Sequence, residues 1–232
     1  MPVEDRPGLA RRAVLRGCAA LGIAACASRA AGCSGRPTET GSAAGVTGRP
    51  APTPSAPAGT RSVLLAYFSR PGENYFYGGR MDLDVGNTEV LAGMVADRIA
   101  CDVHRIEPVD PYPHEYEQTV ELNRREQREA ARPAIANRLR SLAGYDVVLL
   151  ASPVWNSSAP MIMWTFAEGL DFAGTRVHPI TTHTVSGLGS VPDDYEYACR
   201  GATLGEGLAV RGEEVRDAGA AVDSWLQRTG LL

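Results

Sequence analysis

Arg61-Ser62-Val63-Leu64-Leu65-Ala66-Tyr67-Phe68-Ser69 is the stretch on which the reading of the fold turns. Its apolar run is unbroken from Val63 to Phe68 and stops at Ser69. A strand with one wet face alternates apolar and polar residues; a run without alternation is covered on both faces, as in the middle of a parallel sheet. Tyr145–Ala151 (Tyr-Asp-Val-Val-Leu-Leu-Ala) has the same character, and Arg176–Thr182 gives a further strand. Asp102–Ile106 is short and alternating, and Leu204 with Leu208–Val210 reads as an interrupted last strand. Helical spacing fills the gaps. Asn87–Cys101 carries Val90, Leu91, Met94, Val95 and Ile99 at that period. Tyr116–Arg140 is mostly polar and broken by Pro133. Met161–Gly169 and Val191–Arg200 are short helices, and Glu213–Arg228 is an amphipathic one with Val215, Ala218, Val222, Trp225 and Leu226 on one side. Strand alternating with helix predicts an α/β three-layer sandwich around a five-stranded parallel sheet in the order 2-1-3-4-5.

The first 60 residues are of another kind. Arg11-Arg12 precedes Ala13-Val14-Leu15-Arg16 and a small, mostly apolar stretch, Gly17–Ser28, closed by Arg29. A charged start, a short apolar middle and small residues after it predict an export signal over residues 1–33. The paired arginines resemble the twin-arginine pattern. Ala31-Gly32-Cys33-Ser34-Gly35 resembles a bacterial lipobox, which makes Cys33 the expected lipidation site, with Cys26 as a rival. Residues 34–60 are Gly, Pro, Ser, Thr and Ala with almost no large apolar side chain, a composition that cannot bury enough surface to offset its ordering entropy. A disordered linker to a domain at 61–232 is expected, with the protein exported and held to the outer face of the membrane by its lipid.

Charge supports that division. All 23 basic residues are arginine, and seven precede residue 61, leaving 16 against 24 Asp and Glu in residues 61–232, a balance of −8. An acidic body argues against nucleic acid as a partner. Only Cys101 and Cys199 fall in the domain, too few for a disulfide framework, and packing is the plainer role for both.

Ligands of doubly wound sheets sit beyond the carboxyl ends of the strands at the point where strand order reverses. Three loops therefore carry the expected chemistry. After the first strand comes Ser69-Arg70-Pro71, an insert over Gly72–Val85, and then Gly86-Asn87-Thr88-Glu89. Small hydroxyl and amide residues before a helix present donors to a phosphate, or simply cap the helix through Asn87 or Thr88. No Gly-Lys-Ser/Thr follows, so this is not a Walker loop. After the third strand comes Ser152-Pro153-Val154-Trp155-Asn156, where Trp155 can stack on a flat ring or pack on the next helix. After the fourth comes Thr182-His183-Thr184-Val185-Ser186-Gly187, whose glycine permits close backbone approach and whose His183 faces a ligand or caps the loop.

In this order the loops resemble the flavodoxin superfamily, in particular its branch of short bacterial flavodoxin-like proteins. There they read roughly Ser-Arg-x-Gly-Asn-Thr, Pro-Ile-Trp-Trp-Gly and Thr-His-Gly-Gly-Ser-Gly. Pro111-Tyr112-Pro113, Tyr116 and Arg132-Pro133 also look like that branch. The resemblance implies a flavodoxin-like fold holding FMN. Ser69, Arg70, Gly86, Asn87 and Thr88 would hold its phosphate. Pro153, Val154, Trp155 and Asn156 would border the ring, with Thr182, His183, Ser186 and Gly187 on the other flank. It departs in the 72–85 insert and in Asn156, which stands where the branch often has a second aromatic residue. The implied activity is electron transfer with a redox partner protein or small-molecule acceptor. An NAD(P)H- or quinone-linked oxidoreductase and a flavin-free binding module are the alternatives. No nicotinamide motif or catalytic residue is legible. The histidines His104, His114, His178 and His183 are scattered, so no metal is expected. Val185-Ser186-Gly187 lacks the elbow of a serine hydrolase. The charged run Glu115–Arg132 reads as a solvated helix face. Tyr75, Phe76 and Tyr77 in the insert read as a lid, a docking patch or local packing.

Overall fold

A computed structural model describes residues 61–232. The expected signal, with Cys33 and Cys26, and the linker lie outside the described residues.

Strand β1 (Val63–Tyr67) is followed by a hairpin, β2 (Gly72–Phe76) and β3 (Gly79–Leu83), and by helix α1 (Asn87–Ala96). Then come β4 (Asp102–Arg105), α2 (Tyr116–Arg128), β5 (Val147–Pro153), α3 (Met161–Glu168) and β6 (Arg176–His183). The chain ends with α4 (Val191–Ala198), β7 (Thr203–Leu204), β8 (Leu208–Arg211), a 3₁₀ turn (Gly212–Asp217) and α5 (Gly219–Thr229). The main sheet runs β4-β1-β5-β6, with β7 and β8 both parallel to the far side of β6. Counting β7 and β8 as one interrupted strand, this is the expected flavodoxin-like order 2-1-3-4-5.

The two-sided burial read from sequence has a direct structural form. Side chains alternate across a strand. Leu64, Ala66 and Phe68 therefore face one core with Val148 and Leu150, and Val63, Leu65 and Tyr67 face the other with Val147, Leu149 and Ala151. Helices α3 and α4 cover the first core through Ile162, Phe166 and Tyr195; α1 and α5 cover the second through Leu91, Val95, Val222 and Trp225. Each such large apolar side chain contributes about 1.5–3 kcal/mol relative to exposure. Helix α2 supplies no residue to either cluster; its buried positions are Thr119, Asn123 and Glu126.

Several expectations need correction. The insert is a β-hairpin, turning at Tyr77 and Gly78, both at positive φ. Helix α1 stops at Ala96, short of Cys101. Helix α2 ends at Arg128, well before Arg140, because Ala130 takes a left-handed φ of 47° and the Ala131 amide donates back to the Glu126 carbonyl, closing the helix without help from Pro133. The run Glu115–Arg132 is a largely exposed face, as expected, interrupted by the buried Thr119, Asn123 and Glu126. The closing helix is two pieces. A 3₁₀ turn eclipses positions three apart, so Val215 and Ala218 face one core before the α-helical period of Val222, Trp225 and Leu226 begins. Cys199 is buried, and burial pushes its thiol up to about 12; Cys101 is only partly buried.

His178 is buried on β6 with Nδ1 2.9 Å from the Glu206 carbonyl oxygen. A carbonyl only accepts, so Nδ1 carries the proton, and Nε2 is buried without a partner. Burial lowers its pKa below the ordinary 6.5, and burial does the same to His104 and His183. A depressed histidine pKa leaves its stabilisation intact above the unfolded value and removes it as pH falls through the folded value. The urea midpoint should therefore fall as pH drops from about 7 to about 5, and His178→Asn should flatten that fall. An equal slope in both proteins would remove His178 from the effect.

Candidate functional site

The carboxyl ends of β1, β5 and β6 open onto one cleft of about 270 Å³. Their register sets this. Tyr67 lies opposite Ala151, and Pro153 opposite Thr182, so the three exit loops leave the sheet side by side. Thr88 in the first turn of α1, Trp155 in the loop after β5 and His183 at the end of β6 all reach the wall of this single cleft.

At one end stands the N-terminus of α1. Gly86 precedes it in extended backbone with no side-chain cap. The Glu89 amide is satisfied by Ser69 Oγ at 3.0 Å and the Gly86 carbonyl, whereas the amides of Asn87 and Thr88 have no acceptor among the described residues. Such amides, with the helix dipole, attract a negative group by about 0.3–1 kcal/mol. Thr88 Oγ1 lies 2.7 Å from Thr182 Oγ1, both buried. One of the two hydroxyl protons makes that bond and the other is left to donate elsewhere. Gly86 does not itself line the cleft; a Cβ there would meet Ser69 Oγ at 2.4 Å and the Arg70 carbonyl oxygen at 2.5 Å.

Arg70 lines the cleft, but its guanidinium is committed elsewhere. It donates to the carbonyls of Pro113 and His114, each at 2.9 Å, and to that of Glu73. Burial lowers its pKa, opposed by Glu73, and the side chain remains a buried positive charge. Its work is to tie the β2–β3 hairpin to the segment before α2. Tyr116 and Arg80 complete the tie, the guanidinium of Arg80 standing 3.8 Å from the Tyr116 ring centroid and 2.7 Å from Glu117 Oε1. The hairpin then crosses to the far rim, where the Tyr77 amide meets Glu213 Oε1 at 3.4 Å and the Tyr77 ring meets Arg211. Asn74 and Tyr75 of β2 join the cleft wall.

The opposite end is made by the β5 and β6 loops. Pro153 and Val154 lead into a tight turn in which Asn156 and Ser157 both have positive φ and Trp155 bridges back to Ser158. Trp155 packs edge-on against Phe68 and Tyr112, at ring-centroid distances of 5.6 and 5.0 Å. Asn156 donates to Gln127 Oε1. Thr182, His183 and Ser186 line the remaining flank; Gly187 stands behind it, its carbonyl accepting from Thr181. His183 Nδ1 is buried without a partner, and its pKa is held down by burial and by Arg211.

Glu213 was not legible in the sequence. It lines the cleft, its side chain is 1% exposed, and Oε2 has no hydrogen-bond partner. Tyr116, Tyr75 and Gly212 also line the cleft. Nothing in the pattern 213–228 separated Glu213 from an ordinary first-turn acidic residue, whereas the aromatic run of the insert did mark Tyr75.

A doubly wound sheet with its cleft at the switch between β1 and β5 defines a flavodoxin-like α/β protein. The sequence profile described as flavodoxin matches residues 83–229, and the chain belongs to that family. No curated protein sequence matches it. Among solved structures it is similar to a candidate flavoprotein from Bacteroides uniformis ATCC 8492, at 26% identity and a TM-score of 0.56, covering 72% of this chain and 98% of that one. A candidate flavoprotein from Bacteroides eggerthii DSM 20697 gives 24%, 0.60, 75% and 100%. A flavoprotein from Lactobacillus acidophilus NCFM in complex with FMN gives 13%, 0.49, 72% and 99%.

The turn bearing Trp155 depends on Gly189, whose φ is +56° and where a Cβ would stand 2.4 Å from the Ser157 carbonyl oxygen. Gly189→Ala should cost about 1–3 kcal/mol of stability and shift the tryptophan emission. Wild-type values for both would show that the turn yields freely.

Proposed function

We propose that the cleft holds FMN and that the protein passes electrons between this flavin and a redox partner protein or small-molecule acceptor, working outside the cytoplasmic membrane on a lipid tether. The observation that carries the reading is the convergence of Thr88, Trp155 and His183 on one cleft whose two ends differ in chemistry. One end gathers uncapped helix amides and hydroxyls, which suit a phosphate dianion. The other is bounded by Trp155 and two strand-end loops, which suit a flat ring. Glu213 Oε2 and His183 Nδ1 on the same wall are buried polar atoms without a hydrogen bond, Glu213 facing only the Arg211 guanidinium at 3.7 Å, and hydroxyls of a sugar-alcohol chain would suit them.

In this reading Ser69, Asn87, Thr88 and Thr182 hold the phosphate. Arg70 acts through its charge, because its N–H groups are spent on carbonyls. Pro153, Val154, Trp155 and Asn156 border the ring, with His183, Ser186 and Gly187 opposite. Bound FMN supplies reversible electron uptake, and the chain sets access and local charge around it. A twin-arginine signal carries folded proteins, so the cofactor can be loaded before export, and lipidation at Cys33 would then keep the domain at the membrane.

The full chain purified with added FMN should show a flavin visible spectrum. Thr88→Ala should weaken FMN binding by about 1.5–3 kcal/mol, one hydrogen bond to a charged group. A colourless protein that takes up no FMN would overturn the reading in favour of a flavin-free module, and unchanged affinity in Thr88→Ala would remove Thr88 from the phosphate site.

A further inference from the structure

The β2–β3 hairpin is held very differently at its two ends. On the α2 side both strands are tied. Arg70 donates to the carbonyls of Pro113 and His114, and the Glu73 amide donates to the His114 carbonyl at 2.9 Å. Glu73 Oε2 accepts from the Tyr116 amide at 3.0 Å, and His114 Nε2 stands 3.0 Å from Asp82 Oδ1 on β3. At the tip the ties are few and loose. The Tyr77 amide reaches Glu213 Oε1 at 3.4 Å, longer than a usual amide hydrogen bond. The Tyr77 ring stands 5.9 Å from the Arg211 guanidinium, at the outer limit of a cation–π contact.

The tip residue is itself unusual. Tyr77 has a φ of 43° and Gly78 one of 88°, a pair that Asn-Gly adopts most easily. A bulky side chain is disfavoured there, and this one is 59% exposed, so core packing does not account for it. Its ring meets Phe76, at a centroid distance of 4.8 Å, and Arg211. Contact with the far rim is what the tyrosine adds. Between the two rims lies the cleft, lined by Asn74 and Tyr75 from the hairpin and by Glu213 from the other side. With the tip down its volume is about 270 Å³, under the range of roughly 300–1,000 Å³ usual for small-molecule sites. Lifting the tip loses its weak contacts but returns water to Glu213, whose side chain is 1% exposed and whose Oε2 has no hydrogen bond. The second effect offsets the first, which brings closed and open forms near to each other in free energy.

We propose that the hairpin tip is a gate on the cleft. Latched to Arg211 and Glu213, it closes one side of the cleft. Released, it pivots on the ties at the α2 side and lets a ligand in or out. The latch acts on rates more than on affinity, because the same contacts exist in the empty and the filled closed forms and cancel between them. That the ligand is FMN rests on the reading above; the opening of the tip does not. In that reading the gate has a use, since a cofactor loaded before export has to be kept afterwards and a latched tip slows its escape.

Tyr77→Asn in the full chain tests this. Asparagine suits the positive φ, so the hairpin folds and the thermal midpoint is kept or raised, while the ring contact to Arg211 is lost. FMN association and release, followed by flavin fluorescence in stopped flow, should both quicken by the same factor, about two- to fivefold, the size of one exposed cation–π contact. The dissociation constant should stay at its wild-type value. Tyr77→Phe keeps the ring and should show wild-type rates. Without ligand, amide hydrogen exchange at residues 211–214 should also quicken in Tyr77→Asn, because the tip covers that rim although it lies far away in sequence. The gate is overturned if neither rate changes, if exchange at 211–214 is unaltered, or if release alone quickens and affinity falls with it. The last result would make Tyr77 a contact on the ligand. Failure of the FMN reading appears separately, as a protein that takes up no flavin, and the exchange measurement then decides the gate by itself.

Discussion

Everything in this molecule depends on three strands being adjacent, parallel and in register. β1, β5 and β6 carry apolar side chains on both faces, so neither face can be turned to water. Parallel strands need crossovers, and the crossovers place helices over both faces. Once Tyr67 stands beside Ala151 and Pro153 beside Thr182, the exit loops have no choice but to meet at one edge. The cleft is thus a consequence of core burial. The hydrophobic effect fixes the sheet, the sheet fixes the strand ends, and the strand ends bring a helix N-terminus, a tryptophan turn and a histidine flank together.

The hairpin shows how a loop can accept a long insert without dismantling that arrangement. The insert begins and ends within the loop that opens α1, yet Ser69 still reaches the Glu89 amide, because Gly86 allows the two arms of the loop to approach closely. The hairpin is anchored on the α2 side by Arg70 and Arg80 and touches the far rim at Glu213. In doing so it engages the guanidinium of Arg70. A guanidinium that bonds three carbonyls is not available as a hydrogen-bonding clamp for a ligand, although its field still reaches the cleft.

The sequence made the sheet legible because two-sided burial leaves an unambiguous mark, as at Val63–Phe68 and Val147–Ala151. The helix ends were less legible. Apolar residues at 215, 218, 222, 225 and 226 satisfy both a single α-helix and a 3₁₀ turn followed by one, since a spacing of three belongs to either. Pro133 looked like the breaker of α2, but Ala130, a residue with no turn signature, ends it. Gly78-Gly79 is a hairpin signal in retrospect; the positive φ falls on Tyr77 and Gly78, and an aromatic residue there hides the turn. At the cleft, the loops were visible through their small and glycine residues. Glu213 and Asn123 were not, because burial of a charged or amide side chain inside an otherwise polar run leaves no trace in the pattern.

Those two residues carry the clearest physical message in the structure. Folded proteins satisfy their buried polar groups, and departures concentrate where something else is meant to do so. Among the described residues, Asn123 Oδ1, His183 Nδ1 and Glu213 Oε2 are buried without a hydrogen bond; His183 and Glu213 line the cleft, and the Arg211 guanidinium stands 3.7 Å from Glu213 Oε2. His104, His178 and Trp164 share the condition elsewhere, but each is an aromatic ring held by packing against another ring or cation. Glu213 is no such ring: its other oxygen receives the Tyr77 amide of the hairpin, so the residue holds the rim as well as lining the cleft. At His183 and Glu213 the unbonded atoms belong to the cleft wall, where a bound molecule rather than the fold can meet them.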